Sequence, residues 1–252
     1  MGNFYSGGSK LTWGPPRLNS YNQNADQDRL VFLCFFKEGN NMLENRRPLK
    51  TRETKIAKKI AKWLSQKNIT PNQISVISIV FSALAAFFLL NKTLSHEVRF
   101  LLVAIFIQCR LLCNLLDGMV AIEGGKKSAS GELFNDIPDR VADIFVLLAA
   151  GYSISYLSWG TTLGWLATLL AVLTAYVRTL ATSTGAPCQF LGPMAKQHRM
   201  ALMTATSLLI IFNTTYQGEI MFGTLLLICI GSTITLYRRV KAAYIFLERT
   251  DV

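Results

Sequence analysis

Acids and amides that could hold a hard cation and move a proton gather in one stretch of this chain, residues 110–143. Asn114 and Asp117 are three residues apart, a spacing that puts both side chains on one face of a helix. Gly118 follows directly, where a side chain would crowd a ligand held close to Asp117. Further on, Asn135, Asp139 and Asp143 recur at every fourth residue, nearly in line along one helical face, with Asp136 beside them. Oxygen-only donors of this kind suit Mg²⁺ or Mn²⁺, ions commonly used to clamp phosphates. Zinc is a poor fit, because the chain has two His, His96 and His198, and no His/Cys cluster at zinc spacing.

These residues have to be positioned by membrane helices. The 252 residues are 51% hydrophobic and 16% charged, well below the charge content of soluble domains. Residues 68–91, 144–177, 200–218 and 220–237 carry no charge. The run 144–177 would make about 51 Å of helix, too long for one crossing, and has a polar break from Ser155 to Gly160. With the largely apolar stretch around 100–116, this predicts an all-α, polytopic protein with six transmembrane helices, at about 73–90, 99–121, 138–156, 161–179, 200–215 and 219–237. Pro138 is best tolerated in a first helical turn, so the third span is expected to start near Asn135 or Asp136.

Charge sets the orientation. Residues 42–67 hold nine Lys/Arg against two acids. Lys126, Lys127, Arg178, Lys196, Arg199, Arg238, Arg239 and Lys241 fall on the same side, whereas the opposite side has Lys92 and Arg99. The positive-inside rule then places both termini and the acidic cluster in the cytoplasm, in a protein integral to a membrane, by the reading below a bacterial inner membrane. The net charge of +11 points to anionic lipid headgroups rather than nucleic acid. The odd count of five cysteines excludes a disulfide scaffold, with Cys109, Cys113 and Cys229 reading as packing residues.

The expected organisation is fourfold. Residues 1–41, rich in Gly, Asn and Ser, read as a disordered extension, with Met42 an alternative start to Met1. Residues 42–70 read as a basic juxtamembrane helix, with Ile56, Ile60, Trp63 and Leu64 on one stripe suited to the membrane interface. Thr70 is placed to cap the first span, with Pro71 at its first position. Residues 71–240 form the six-helix domain and 241–252 a short cytoplasmic tail.

The acidic region resembles the signature of the CDP-alcohol phosphatidyltransferase family, Asp-x2-Asp-Gly-x2-Ala-Arg-x8-Gly-x3-Asp-x3-Asp. Its positions read here as Asn114, Asp117, Gly118, Ala121, Ile122, Gly131, Asn135 and Asp139, with every spacing kept. The first and third aspartates are Asn and the arginine is Ile122, a pattern similar to a bacterial branch of the family.

The resemblance implies transfer of a phosphatidyl group from CDP-diacylglycerol to an alcohol, releasing CMP, with two divalent ions and Asp139 as the base. It implies nucleotide contacts at Asp117, Gly118, Ala121 and Gly131, and a homodimer. Matched aspartates supply a charge of −2, and adding Asp136 and Asp143 restores the −4 of the standard quartet. The expected metal ligands are therefore Asp117, Asp136, Asp139 and Asp143, with Asn114 and Asn135 giving carbonyl oxygens.

Relatives with phosphorylated acceptors suggest Arg178, Lys196 and Arg199 as acceptor-binding cations, for an acceptor such as glycerol 3-phosphate. Plainer roles stay open. Asp143 is also placed to pair with Arg110 or Arg140, and the cations to serve topology alone. A CDP-choline or CDP-ethanolamine donor with a lipid acceptor, a non-catalytic lipid-binding protein of the same fold, and a small transporter are the alternative functions.

Overall fold

The computed structural model describes residues 55–67, 69–123, 131–187 and 191–250. The expected extension over 1–41, the leader up to residue 54 and the basic connection 124–130 lie outside the described residues. The described chain is all-helical: α1 (Lys55–Gln66), α2 (Pro71–Leu90), α3 (His96–Glu123), α4 (Gly131–Ser153), α5 (Gly160–Ser183), α6 (Lys196–Phe212) and α7 (Gln217–Thr250).

The six helices after α1 match the six expected spans in order. Four of them, α2, α3, α5 and α7, are long and apolar enough to cross a membrane by length and composition. The other two fall short for visible reasons. α4 carries Asp136, Asp139, Arg140 and Asp143, and α6 has 17 residues, about 26 Å of helix. Large apolar side chains such as Phe87, Leu101, Ile105, Leu112, Leu169 and Leu227 stand exposed on the outside, the surface a polytopic protein offers to lipid.

Inside, Leu89, Val103, Ile107, Leu147, Met200, Met203, Leu225 and Ile228 form one buried cluster. α2 packs on α3 and α4, α5 on α4 and α7, and α6 on α3 and α7. Small residues allow the close approaches. α2 turns Ser75, Ser78, Ser82, Ala85 and Ala86 inward, and the Ser78 and Ser82 hydroxyls donate back to their own helix. α4 and α5 touch backbone to backbone, where a Cβ on Gly151 would stand 2.6 Å from the Gly164 Cα.

The expected cap at Thr70 is present. Its side chain accepts from the Gln73 amide at 3.3 Å, and the Gln73 side chain accepts from the Thr70 amide at 2.9 Å, with Pro71 at the first position. Two boundaries differ from expectation. α4 starts at Gly131, so Pro138 lies inside it. The carbonyl that loses its amide partner is that of Phe134. α7 does not stop near Tyr237 but runs to Thr250, so the expected tail is helical as far as Thr250. At 34 residues, about 51 Å, its last turns outrun a hydrocarbon core of about 30 Å.

Finally, the apolar stripe of α1 is shared. Ile60 and Leu64 pack with buried Ala61 against Cys113, Leu116 and Val120 of α3, while Trp63 remains 55% exposed.

Candidate functional site

The C-terminal end of α3 and the N-terminal half of α4 carry the acids. Asp117 is 4% and Asp139 3% exposed. Burial at this level obliges a carboxylate to find partners. Asp117 accepts a hydrogen bond at 2.8 Å from the Ser75 hydroxyl of α2 and another from the Gly118 amide. It lies within electrostatic reach of Asp139 and Lys196.

Oδ2 of Asp139 pairs with the Lys196 ammonium at the start of α6, and Arg140 stands 3.9 Å away. Oδ1 of Asp139 accepts no hydrogen bond, and the Arg110 guanidinium is 3.9 Å from it. Nδ2 of Asn114 is likewise buried without a partner. Turned over, the same amide offers its oxygen instead. Open valences on buried polar atoms ask for an explanation, and a ligand is one.

One turn deeper the arrangement closes. Asp143 is 1% exposed and is held from both sides, by Arg110 at 2.6 Å and Arg199 at 2.8 Å. Both arginines are buried. Arg110 also donates to the Asp139 backbone carbonyl at 3.3 Å, and Arg199 to the Met194 carbonyl at 3.1 Å. The expected pairing of Arg110 with a carboxylate is thus present. Asp117, Asp139 and Asp143 thus face Arg110, Lys196 and Arg199, with Arg140 at the edge, and opposed charge is how these groups come to sit together at low exposure.

The remaining candidates are more peripheral. Asp136 pairs with Arg178 of α5, whose Nη2 is 2.8 Å from both carboxylate oxygens. This pair is about one quarter exposed on each side. Asn135 is exposed. Gly118 and Ala121 lie on the last turns of α3 and Gly131 opens α4, at the two ends of the undescribed connection.

The structure therefore brings Asp117, Asp139 and Lys196 together, with Asn114 one turn before Asp117 on α3. It engages Asp143 and Arg199 with each other, and Asp136 with Arg178. Among the described residues no three His, Cys, Asp or Glu side chains gather to hold a metal. The reason is chemical: two positions of the line are Asn, and two of the acids are claimed by arginine. The donor set that remains, two carboxylates and an amide oxygen, still suits a hard divalent cation.

Two contacts had little sequence signal. Ser75 reaches Asp117 across 42 residues and Lys196 reaches Asp139 across 57. For Ser75 the available hint was its spacing with Ser78 and Ser82 in an otherwise apolar span.

Residues 68–234 match the family model described as CDP-alcohol phosphatidyltransferase. The inner membrane protein YnbA of Escherichia coli is 31% identical over 86 residues, which span 34% of this chain and 42% of that protein. The archaetidylinositol phosphate synthase of Pyrococcus horikoshii is 28% identical over 187 residues, 73% of this chain and 89% of that protein. Two solved structures of Mycobacterium tuberculosis phosphatidylinositol phosphate synthase share the fold. One has CDP-DAG bound, with a TM-score of 0.64, 18% identity, and coverage of 76% of this chain and 94% of that one. The other, in complex with manganese and citrate, has a TM-score of 0.63 at 18% identity, covering 75% and 88%.

Proposed function

The chain belongs to the CDP-alcohol phosphatidyltransferase family, and on that premise we propose that it transfers a phosphatidyl group from CDP-diacylglycerol to an alcohol, releasing CMP. The observation that supports this most is the pair Asp117 and Asp139, buried at facing helix ends, with one Asp139 oxygen and the Asn114 amide left open. Asp117, Asp139 and Asn114 are the residues proposed to hold a divalent cation, Mg²⁺ or Mn²⁺. Their charge of −2 balances one such ion, where the resemblance implied two. When bound, the ion supplies charge neutralisation at the donor's pyrophosphate.

The chain's own groups do the rest. Asp139 accepts the proton of the acceptor hydroxyl as its oxygen attacks the phosphorus. Ser75 and the Gly118 amide hold Asp117 in one orientation. Lys196, 21% exposed at its side chain, serves as the counter-ion of Asp139 and turns to substrate phosphate when the site fills. Arg199 is buried against Asp143, whereas the paired side chains of Arg178 and Lys196 are 27% and 21% exposed and can be reached by a ligand, so Arg178 and Lys196 are the cations proposed for a phosphorylated acceptor. The acidic end faces the cytosol in this reading. Support comes from Arg238, Arg239 and Lys241, which follow the last apolar run, and from Arg178 and Lys196 at the same end.

The test is CMP release by the full chain in lipid nanodiscs, with CDP-diacylglycerol, Mn²⁺ and a pool of candidate alcohols, beside Asp139→Ala. Metal-dependent release that the variant lacks supports the reading, and splitting the pool names the acceptor. Release from CDP-choline or CDP-ethanolamine alone would reverse the donor assignment. A folded protein that releases no CMP from any of these donors would sink the transferase reading.

A further inference from the structure

The end of the bundle away from the carboxylates is formed by the connections α2–α3, α4–α5 and α6–α7. A cavity of about 220 Å³ opens there, room for about seven waters. Its charged lining is one-sided. Lys92 and Arg99 carry that charge and no carboxylate contributes. Glu97 and Glu219, on the same end of α3 and α7, are not part of the lining and pair with none of these cations.

Arg99 is the centre of the site. It is 8% exposed, stacks its guanidinium over the Phe100 ring at 4.6 Å, and donates from Nη2 to Gln217 at 3.3 Å. Its Nε is buried with no partner. The other buried arginines, Arg110 and Arg199, each face a carboxylate, and Arg99 faces none. A buried guanidinium with an open donor and no carboxylate partner, lining a cavity, is an incomplete anion site. Neighbouring groups are already tied. His96 is fixed through Nε2 to the Ile210 carbonyl at 3.0 Å. Lys92 stands exposed at the rim, and Leu94 and Tyr156 of the lining are exposed on the outer surface.

We propose that this cavity binds a phosphate-type anion, either the phosphodiester of a phospholipid headgroup or free phosphate, on the membrane face opposite the carboxylates. The guanidinium fork of Arg99 supplies directional donors and Lys92 adds charge at the mouth. The cavity is remote from Asp117 and Asp139, so it is a second anion site and not a part of the first.

Calorimetric titration of the full chain in a neutral detergent tests this, with inorganic phosphate in one arm and dihexanoylphosphatidylglycerol in the other. Saturable binding is expected in at least one arm; binding of the lipid without phosphate identifies the headgroup as the source, and binding of both identifies free phosphate as sufficient. Arg99→Gln is expected to weaken binding at least about tenfold, and Lys92→Gln by up to about fivefold. Arg238→Gln, which removes one charge from the other end, should leave it unchanged. Lys92 is exposed, so its variant decides the matter if Arg99→Gln fails to fold. No binding in either arm, or binding that neither Arg99→Gln nor Lys92→Gln weakens, overturns the proposal.

Discussion

Asp139 and Asp143 sit one turn apart on the same face of the same helix, both almost wholly buried and both near Arg110, and the bonds their oxygens make differ. Asp143 has a guanidinium on each oxygen. Asp139 has a flexible, partly exposed ammonium on one oxygen and nothing bonded to the other. The deeper layer is closed and the outer layer open. A carboxylate whose valences are all filled by rigid neighbours can only hold helices together. One with an open valence and a movable counter-ion can exchange partners, which proton transfer and ligand binding both require. Period-four spacing makes the two look equivalent, and their partners make them different.

The largest effect expected from this contrast is on chemistry. Asp139→Asn should lower CMP release by about 10³-fold while the unfolding temperature stays near that of the parent. A variant that keeps its rate would erase the distinction between the layers. The converse change is Asp143→Leu, which leaves two buried guanidiniums without a counter-ion and should cost about 3–5 kcal/mol of stability. Replacing Arg110, Asp143 and Arg199 together by apolar residues should recover most of that loss in a denaturant titration. If the single variant is as stable as the parent, the deeper layer is not a structural clamp.

Next in size is the response to metal. Mn²⁺ at about a hundredfold over its dissociation constant should stabilise the protein by about 2.7 kcal/mol, seen as a raised unfolding temperature that EDTA reverses. Asp117→Asn should lose this response if the outer layer is the cation site. Smallest is Ser75→Ala, which removes one hydroxyl from Asp117 and should cost about 1 kcal/mol, with a modest loss of rate measured in the same CMP assay.

Much of this was legible in the residues. Uncharged runs gave the order of the helices, and the break at 155–160 separated α4 from α5. The gapped motif found Asp117 and Asp139. What spacing could not reveal was which acids stay open, because that depends on cations brought in from α3, α5 and α6, between 33 and 57 positions away. Pro138 misled for a related reason. A proline argues against a helix interior, yet α4 runs through Pro138, its packing on α2 and α5 holding the helix where one backbone hydrogen bond is lost. Ile60 and Leu64 of α1 were read as facing lipid, and they face α3 as much, since a stripe announces an apolar neighbour without saying which.

The contact between Gly151 and Gly164 bears on all of this from a distance. Two backbones that meet without side chains act as an index pin: α4 cannot turn about its axis against α5 without forcing side chains into a space that holds none. A slip of one residue would rotate the helix by about 100° and swing Asp139 and Asp143 together away from Lys196, Arg110 and Arg199 on α6 and α3. Three turns away from the acids, a pair of hydrogen atoms keeps the compass bearing of the carboxylates.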